Sequence, residues 1–152
     1  MNKADVGARG EQVAARYLRR KGFDILERNI HISHQEIDII AINKQYIVFA
    51  EVKTRVMSPD DANMYNAPAA AVTYRKQEYL LRAARKYLFD NHFKAQPRMD
   101  VIEIYLAPDD TLTKSDRFWE RVGGWFGPPA RKVLKINHIE NAFGAHKRRT
   151  RS

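Results

Sequence analysis

The sequence predicts an α/β fold, a mixed central β-sheet flanked by helices on both sides. Three observations lead there. A helical stretch opens the chain. Strand-like and helix-like stretches then alternate. The two most strand-like stretches, at 36–42 and 46–54, are separated only by the polar Asn43-Lys44-Gln45. The resulting order is helix, strand, hairpin, helix, strand, helix start, strand, an arrangement that buries a sheet between helical layers.

Residues 5–21 read as the first helix, with Asp5 as N-cap and Gly22 just beyond its end. At about 100° per residue, Gly7, Gly10, Glu11, Ala14, Ala15 and Leu18 share one side, and Arg9, Gln12, Arg16 and Arg19 the other. Glu11 lies inside the small, apolar stripe, where a lone carboxylate is costly to bury. Two explanations stand: an internal ion pair, or a reach towards a cation beside Asp38 and Glu51. Residues 23–28 follow as a short strand and 29–34 as a polar connection carrying His31 and His34. No further His or Cys stands at metal-ligand spacing, which argues against zinc.

The hairpin comes next. Its first strand alternates Glu36-Ile37-Asp38-Ile39, and its second is rich in β-branched and aromatic residues. With Lys44 and Gln45 as the turn, Asp38 falls opposite Glu51, and Glu36 opposite Lys53, all on one face. Directly opposed Cβ atoms lie about 4.5–5.5 Å apart. Two carboxylates that close repel unless a proton or a cation sits between them. Mg²⁺ fits, because it takes carboxylate oxygens at about 2.0–2.1 Å, and Lys53 points its ammonium at the same spot. This outlines a phosphodiester-cleaving site: the metal activates water and neutralises phosphate charge, and the lysine stabilises the developing negative charge or positions the water. The competing reading is a solvated strand face with ordinary cross-strand ion pairs. Register decides between them, since a slip of one residue sends Asp38 to the other face.

Residues 55–68 read as a long loop that could close over a substrate, with Asp60 and Asp61 as turn residues. Residues 72–89 form a helix whose apolar side is Val72, Tyr79, Leu80, Ala83, Ala84 and Tyr87; Arg75, Arg82, Arg85 and Lys86 lie outside or on its flanks. Lys76 sits on the inward side near the N-terminus, the end that cations avoid; it either snorkels or faces a phosphate. Residues 98–106 form a strand on which Asp100 shares a face with Ile102 and Ile104. The stretch 108–135 differs in character: a helix starts at 115–120 and is broken at 122–130, and Trp119, Trp125 and Phe126 pack on the domain, touch a partner or stack on bases. Residues 136–143 form a short edge strand.

With 152 residues the chain suits one domain with a single core. Cysteine is absent, which excludes disulfides and thiolate metal sites. No apolar run approaches the roughly 18–20 residues that span a bilayer, so no membrane partner is expected. The charged start, MNKADVGARGE, lacks the apolar core of a secretory signal, and a cytoplasmic location follows. The net charge of +9 comes from 27 basic and 18 acidic residues. Lys147, Arg148, Arg149 and Arg151 supply part of it in a tail. Such a balance suits a polyanionic partner, and basic tails are commonly disordered and bind nucleic acid without sequence preference.

Read together, GARGEQVAARYLRRKGFDILERNI, QEIDIIA, IVFAEVKTR, RMDVIEIYL and INHIENAF resemble the YraN-like family of bacterial proteins. That family is regarded as a relative of Holliday-junction resolvases and of restriction-endonuclease-like PD-(D/E)xK nucleases. The resemblance covers about residues 5–106 and 136–143. It implies a restriction-endonuclease-like domain over 1–146, in which 109–135 is a family-atypical insertion, with 147–152 as the tail. It implies that Asp38 is the motif aspartate, that Glu51 and Lys53 are the ExK pair, and that Glu11 matches the helix-one glutamate of the resolvase-like members. Gln35 stands where the family usually has Gly, and Tyr65-Asn66 where it has an aromatic-Gly pair. Resolvases of this type work as dimers, so a homodimer is implied.

Two functions follow as expectations. The first is a metal-dependent endonuclease acting on branched or damaged DNA. Asp38, Glu51 and the Val52 carbonyl would bind Mg²⁺ or Mn²⁺, with Lys53 and Glu11 completing the catalytic set. Arg55, Lys76, Lys147, Arg148, Arg149 and Arg151 would bind phosphates. The second is a non-catalytic nucleic-acid adaptor on the same fold. RNA is not separated from DNA, because no feature reports on a 2′-hydroxyl.

Overall fold

In the computed structural model, which describes residues 3–58, 60–61, 72–108 and 132–144, the chain opens with helix α1 (Lys3–Arg20). Asp5 lies inside its first turn rather than capping it, a position where a carboxylate still complements the helix dipole. The C-terminus follows the sequence reading. Gly22 adopts φ 92°, its N–H donates to the Arg19 carbonyl at 3.0 Å, and the Phe23 N–H donates to the Leu18 carbonyl at 3.0 Å. This is the Schellman closure, and Phe23 and Leu18 are buried in the same cluster.

Strand β1 (Asp24–Ile32) is longer than expected. The supposed polar connection at 29–34 is mostly strand, and only Ser33 and His34 turn the chain, with φ 49° and 65°. Two consecutive positive φ values make a two-residue hairpin turn that matches strand twist. Ser-His is not the usual Asn-Gly signal, so the turn was invisible in the sequence. His31 thereby becomes a strand residue paired with Glu36.

Strands β2 (Gln35–Ile42) and β3 (Tyr46–Val56) form the expected hairpin. The pairs Ile39 with Ala50, Ile40 with Phe49, Ala41 with Val48 and Ile42 with Ile47 are in the register deduced from a Lys44-Gln45 turn. No glycine is needed there, because the Asn43 carboxamide oxygen accepts from the N–H groups of Gln45 at 2.9 Å and Tyr46 at 2.7 Å. An Asx-type cap replaces the positive-φ pair. Helix α2 (Tyr74–Asp90) follows, N-capped by Thr73, whose side chain accepts from the Lys76 N–H. Strand β4 (Gln96–Leu106) then runs parallel to β3, and β5 (Val133–Phe143) antiparallel to β4.

The sheet order is β1-β2-β3-β4-β5, a mixed sheet with α1 on one face and α2 on the other, consistent with the restriction-endonuclease-like expectation. Each face has its own core. On the α1 side Val13, Ala14 and Leu18 pack on Ile39, Val48, Ile102 and Ile104. On the α2 side Leu80, Ala84 and Tyr87 pack on Ile40, Ile47, Phe49 and Val101. Gly10 lets α1 press on β3: a Cβ there would stand 1.8 Å from Thr54 Oγ1. Strand β5 is an 11-residue edge rather than a short one. Most of the loop at 55–68, the helix start at 115–120, Trp119, Trp125, Phe126 and the tail from 145 onwards lie outside the described residues. Among the described residues no helix is long and apolar enough to cross a membrane.

Candidate active site

The register that pairs Ile39 with Ala50 is not continued by a ladder pair at Asp38. Instead the Asp38 carboxylate accepts from the backbone N–H of Val52 at 2.8 Å. Strict alternation also breaks here, because Ile37 and Ile40, three residues apart, join the same core cluster. On the β1 side, Asn29 carries φ 50° and lies between the pairs Arg28–Ile39 and Ile30–Ile37. Asp38 is thus set in a local irregularity of the sheet, with its side chain taking a main-chain donor.

Around it gather the carboxylates of Glu11 from α1 and Glu36 from β2. One ligand oxygen from each of Glu11, Glu36 and Asp38 lies within 4.8 Å of the others. The electrostatic consequence falls on Asp38, whose pKa rises from 3.8 to about 7. Burial is the largest cause and the charge of Glu51 the next; the Val52 N–H works the other way, and Glu11 and Glu36 add to the rise. Glu11 is also raised, chiefly by burial, against a hydrogen bond from Asn29. Packing α1 on Thr54 through Gly10 therefore places Glu11 beside Asp38 and Glu36.

Glu51 is buried and takes two cations. Its Oε1 lies 3.2 Å from Lys53 Nζ and 2.5 Å from Lys76 Nζ. The Lys76 ammonium loses solvation by burial, but the hydrogen bond and charge of Glu51 outweigh that and raise its pKa. The helix dipole disfavours a lysine in the first turn of α2, and this buried carboxylate supplies the compensation. Beside Lys53 in the parallel ladder stands Glu103, 1 % exposed, which accepts from Tyr105 Oη at 2.9 Å and Asn137 Nδ2 at 3.2 Å. The cluster sits towards the carboxyl end of the parallel β3–β4 pair, the end where α/β sheets present their ligand sites.

The structure brings Asp38 together with Glu11 and Glu36, and Glu51 together with Lys53 and Lys76. Glu51 is not one of the carboxylate trio, and its charge acts on Asp38. Val52 contributes its N–H to Asp38. Arg55 continues β3 next to Tyr105, while Lys147, Arg148, Arg149 and Arg151 lie outside the described residues. Sequence reasoning missed Glu36 as a partner of Asp38. Its position two residues before Asp38 was the available signal, and it was assigned only a cross-strand lysine. Glu103 gave no signal, since it reads as one polar position in a strand.

A second polar cluster lies on the α1 face of β4. Asp100, wholly buried, receives Arg98 Nε at 2.9 Å and Nη2 at 2.8 Å, the Asn141 N–H at 3.0 Å, and His138 Nε2 at 2.7 Å. His138 Nδ1 meets Tyr17 Oη at 3.1 Å. Burial alone would raise the Asp100 pKa, but these donors outweigh it and hold the carboxyl below its ordinary value. A fully partnered buried charge of this kind ties α1, β4 and β5 together.

Comparison with known proteins points one way. The model of the uncharacterised protein family UPF0102 matches residues 10–104. A UPF0102 protein of Caldanaerobacter subterraneus subsp. tengcongensis is 38 % identical over 144 residues, 94 % of this chain and 98 % of that one. A UPF0102 protein of Alkaliphilus oremlandii is 38 % identical over 146 residues, 94 % of this chain and all of that one. A third, from Clostridium botulinum strain Loch Maree, is 43 % identical over 104 residues, 67 % of this chain and 80 % of that one.

Proposed function

We propose, from the premise that the chain belongs to the uncharacterised UPF0102 (YraN) family, that it is a divalent-metal-dependent endonuclease hydrolysing phosphodiester bonds in branched or damaged DNA. The observation that carries the reading is the meeting of three carboxylates with a lysine-bracketed fourth at one end of the sheet. A structural ion pair needs one carboxylate per cation. Here Glu11, Glu36 and Asp38 crowd together. Burial first, then the charge of Glu51, with Glu11 and Glu36 adding to it, raises the Asp38 pKa to about 7, a repulsion that a cation relieves.

The donor set is all oxygen, which fits Mg²⁺ or Mn²⁺ and not a thiolate-seeking metal. Asp38, Glu11 and Glu36 would hold the ion, with Glu51 and the Val52 carbonyl as the further protein ligands. When bound, such an ion lowers the pKa of water and neutralises charge on the phosphate. Lys53 carries its ammonium to the reacting phosphate and stabilises the charge that develops on it. Lys76, held at the α2 N-terminus by the Thr73 cap, exchanges Glu51 for a phosphate oxygen. Arg55, with Lys147, Arg148, Arg149 and Arg151, binds flanking phosphates and makes affinity fall with salt.

The test is incubation of the purified chain with linear, nicked and four-way DNA in Mg²⁺ or Mn²⁺. Cleavage is expected, and Asp38→Ala and Lys53→Ala are each expected to abolish it. A chain that binds neither metal and cuts none of the three DNAs refutes the proposal. A second reading, a non-catalytic nucleic-acid adaptor, draws on the full engagement of Glu51 by Lys53 and Lys76. It differs in outcome, since an adaptor keeps its binding when Asp38, Glu51 and Lys53 are all alanine.

A further inference from the structure

The outer face of α2 carries a pattern that the core does not explain. The helix buries Leu80, Leu81, Ala83, Ala84 and Tyr87. On the opposite side Arg75, Tyr79, Arg82, Lys86 and Phe89 succeed one another at spacings of four and three residues, which form one straight stripe on a helix of about 3.6 residues per turn. All five are exposed, Tyr79 by 41 % and Phe89 by 81 %. The helical periodicity places Tyr79 on the apolar side; the structure turns it out to solvent. Arg75 and Tyr79 are already arranged as a pair. The Arg75 Nε donates to Tyr79 Oη at 3.2 Å, and its guanidinium lies 5.8 Å from the ring centroid. The acidic exceptions are Asp90, which takes Lys86 at 2.9 Å, and the half-buried Glu78. Arg75, the first residue of the stripe, is the sequence neighbour of Lys76, which contacts Glu51.

We propose that this stripe is the track along which an unpaired DNA strand leaves the cleavage site, an inference that rests on the nuclease reading above. Cations alternating with exposed rings match the two features of a single strand, its phosphates and its open base faces. A duplex keeps its base faces stacked inside, so it would leave Tyr79 and Phe89 unused. The 17-residue helix is about 26 Å long at ~1.5 Å per residue, long enough for a strand of several nucleotides. The substrate class that follows is DNA with a single-stranded segment next to the scissile bond.

The experiment measures fluorescence anisotropy of a labelled oligo-dT and of a blunt duplex, without divalent cation, on the full chain carrying Asp38→Asn so that no cleavage intervenes. Tyr79→Ala and Phe89→Ala are each expected to weaken oligo-dT binding at least about fivefold and to leave duplex binding unchanged. Arg82→Ala is expected to flatten the slope of log affinity against log salt by about 0.7, one phosphate contact on a single strand. Arg19→Ala removes the same charge from the exposed side of α1 and is expected to leave that slope unchanged. Equal losses on both DNAs, ring variants without effect, or tighter binding of oligo-rU than of oligo-dT would each overturn the proposal. Cleavage by the unmodified chain is scored apart. Ring-dependent strand binding without cleavage sinks the nuclease reading, whereas cleavage with ring-independent binding sinks the track alone.

Discussion

Asp38→Asn removes the charge that the carboxylate cluster tolerates least, while its amide oxygen can still accept from the Val52 N–H. The native carboxyl is raised from 3.8 to about 7, so between those values the folded protein holds a proton that the unfolded chain releases. The stability this gives is complete below about pH 4 and is lost as pH rises through about 7. A shift of that size corresponds to roughly 4 kcal/mol. Asp38 is only part-buried, and solvent screening brings the expected loss nearer ~2 kcal/mol. The asparagine variant carries no such loss. Without metal it is therefore expected to match the native chain at pH 4 and to exceed it at pH 8 by ~2 kcal/mol, roughly 4–8 °C in melting temperature for a domain of this size. Thermal melts across that pH range in chelator measure this directly. Saturating Mg²⁺ or Mn²⁺ should then stabilise the native chain by about 2.7 kcal/mol at a hundredfold excess over Kd, seen as a higher melting temperature, and leave the variant unmoved. A stability gap that does not widen from pH 4 to pH 8, or a variant less stable at pH 8, would refute the claim that these carboxylates repel. Equal stabilisation of both chains by the ion would refute the claim that Asp38 holds it.

Three further outcomes follow from the geometry. Gly10→Ala places a methyl against Thr54, so α1 must shift and carry Glu11 with it; a loss of ~1–3 kcal/mol in denaturant melts is expected, together with weaker metal binding by calorimetry. Replacing Thr54 by Gly in that background should restore both. Asp100→Ala leaves the buried Arg98 guanidinium without its carboxylate and is expected to cost about 3–5 kcal/mol. Because the Asp100 carboxyl is held low, its stabilisation is present above the unfolded-state pKa and lost as pH falls through the lower folded one, a loss that acid melts should find in the native chain and not in the variant. Lys76→Met frees Glu51 from one of its two cations. It is expected to preserve the fold by circular dichroism while cutting DNA cleavage at least tenfold; unchanged cleavage would remove Lys76 from the site.

Local rules made much of this legible in advance. Gly22 had to follow the first helix because the Schellman closure needs a left-handed residue there. The β2–β3 register followed from a two-residue turn and a period of two as far as Ile39 with Ala50. The Asp38–Glu51 pair that it implied is not in the ladder, because alternation breaks at Asp38 and its carboxylate takes the Val52 N–H instead. The elements that were misjudged had local chemistry without a strong signature. Ser33-His34 turns the chain with no glycine, and β5 runs on through residues that alternate weakly.

The sequence by itself determined the alternation of elements, the hairpin and the acid–lysine motif, because each depends on residues close along the chain whose spacing is set by backbone geometry. Tertiary structure alone decided which further charges join them. Lys76 meets Glu51 across 25 residues, and His138 meets Asp100 across 38. Glu11 reaches the cluster only because α1 lies against Thr54 at a glycine. Such meetings depend on how two packed faces close on one another, and no periodicity along a single element encodes that distance.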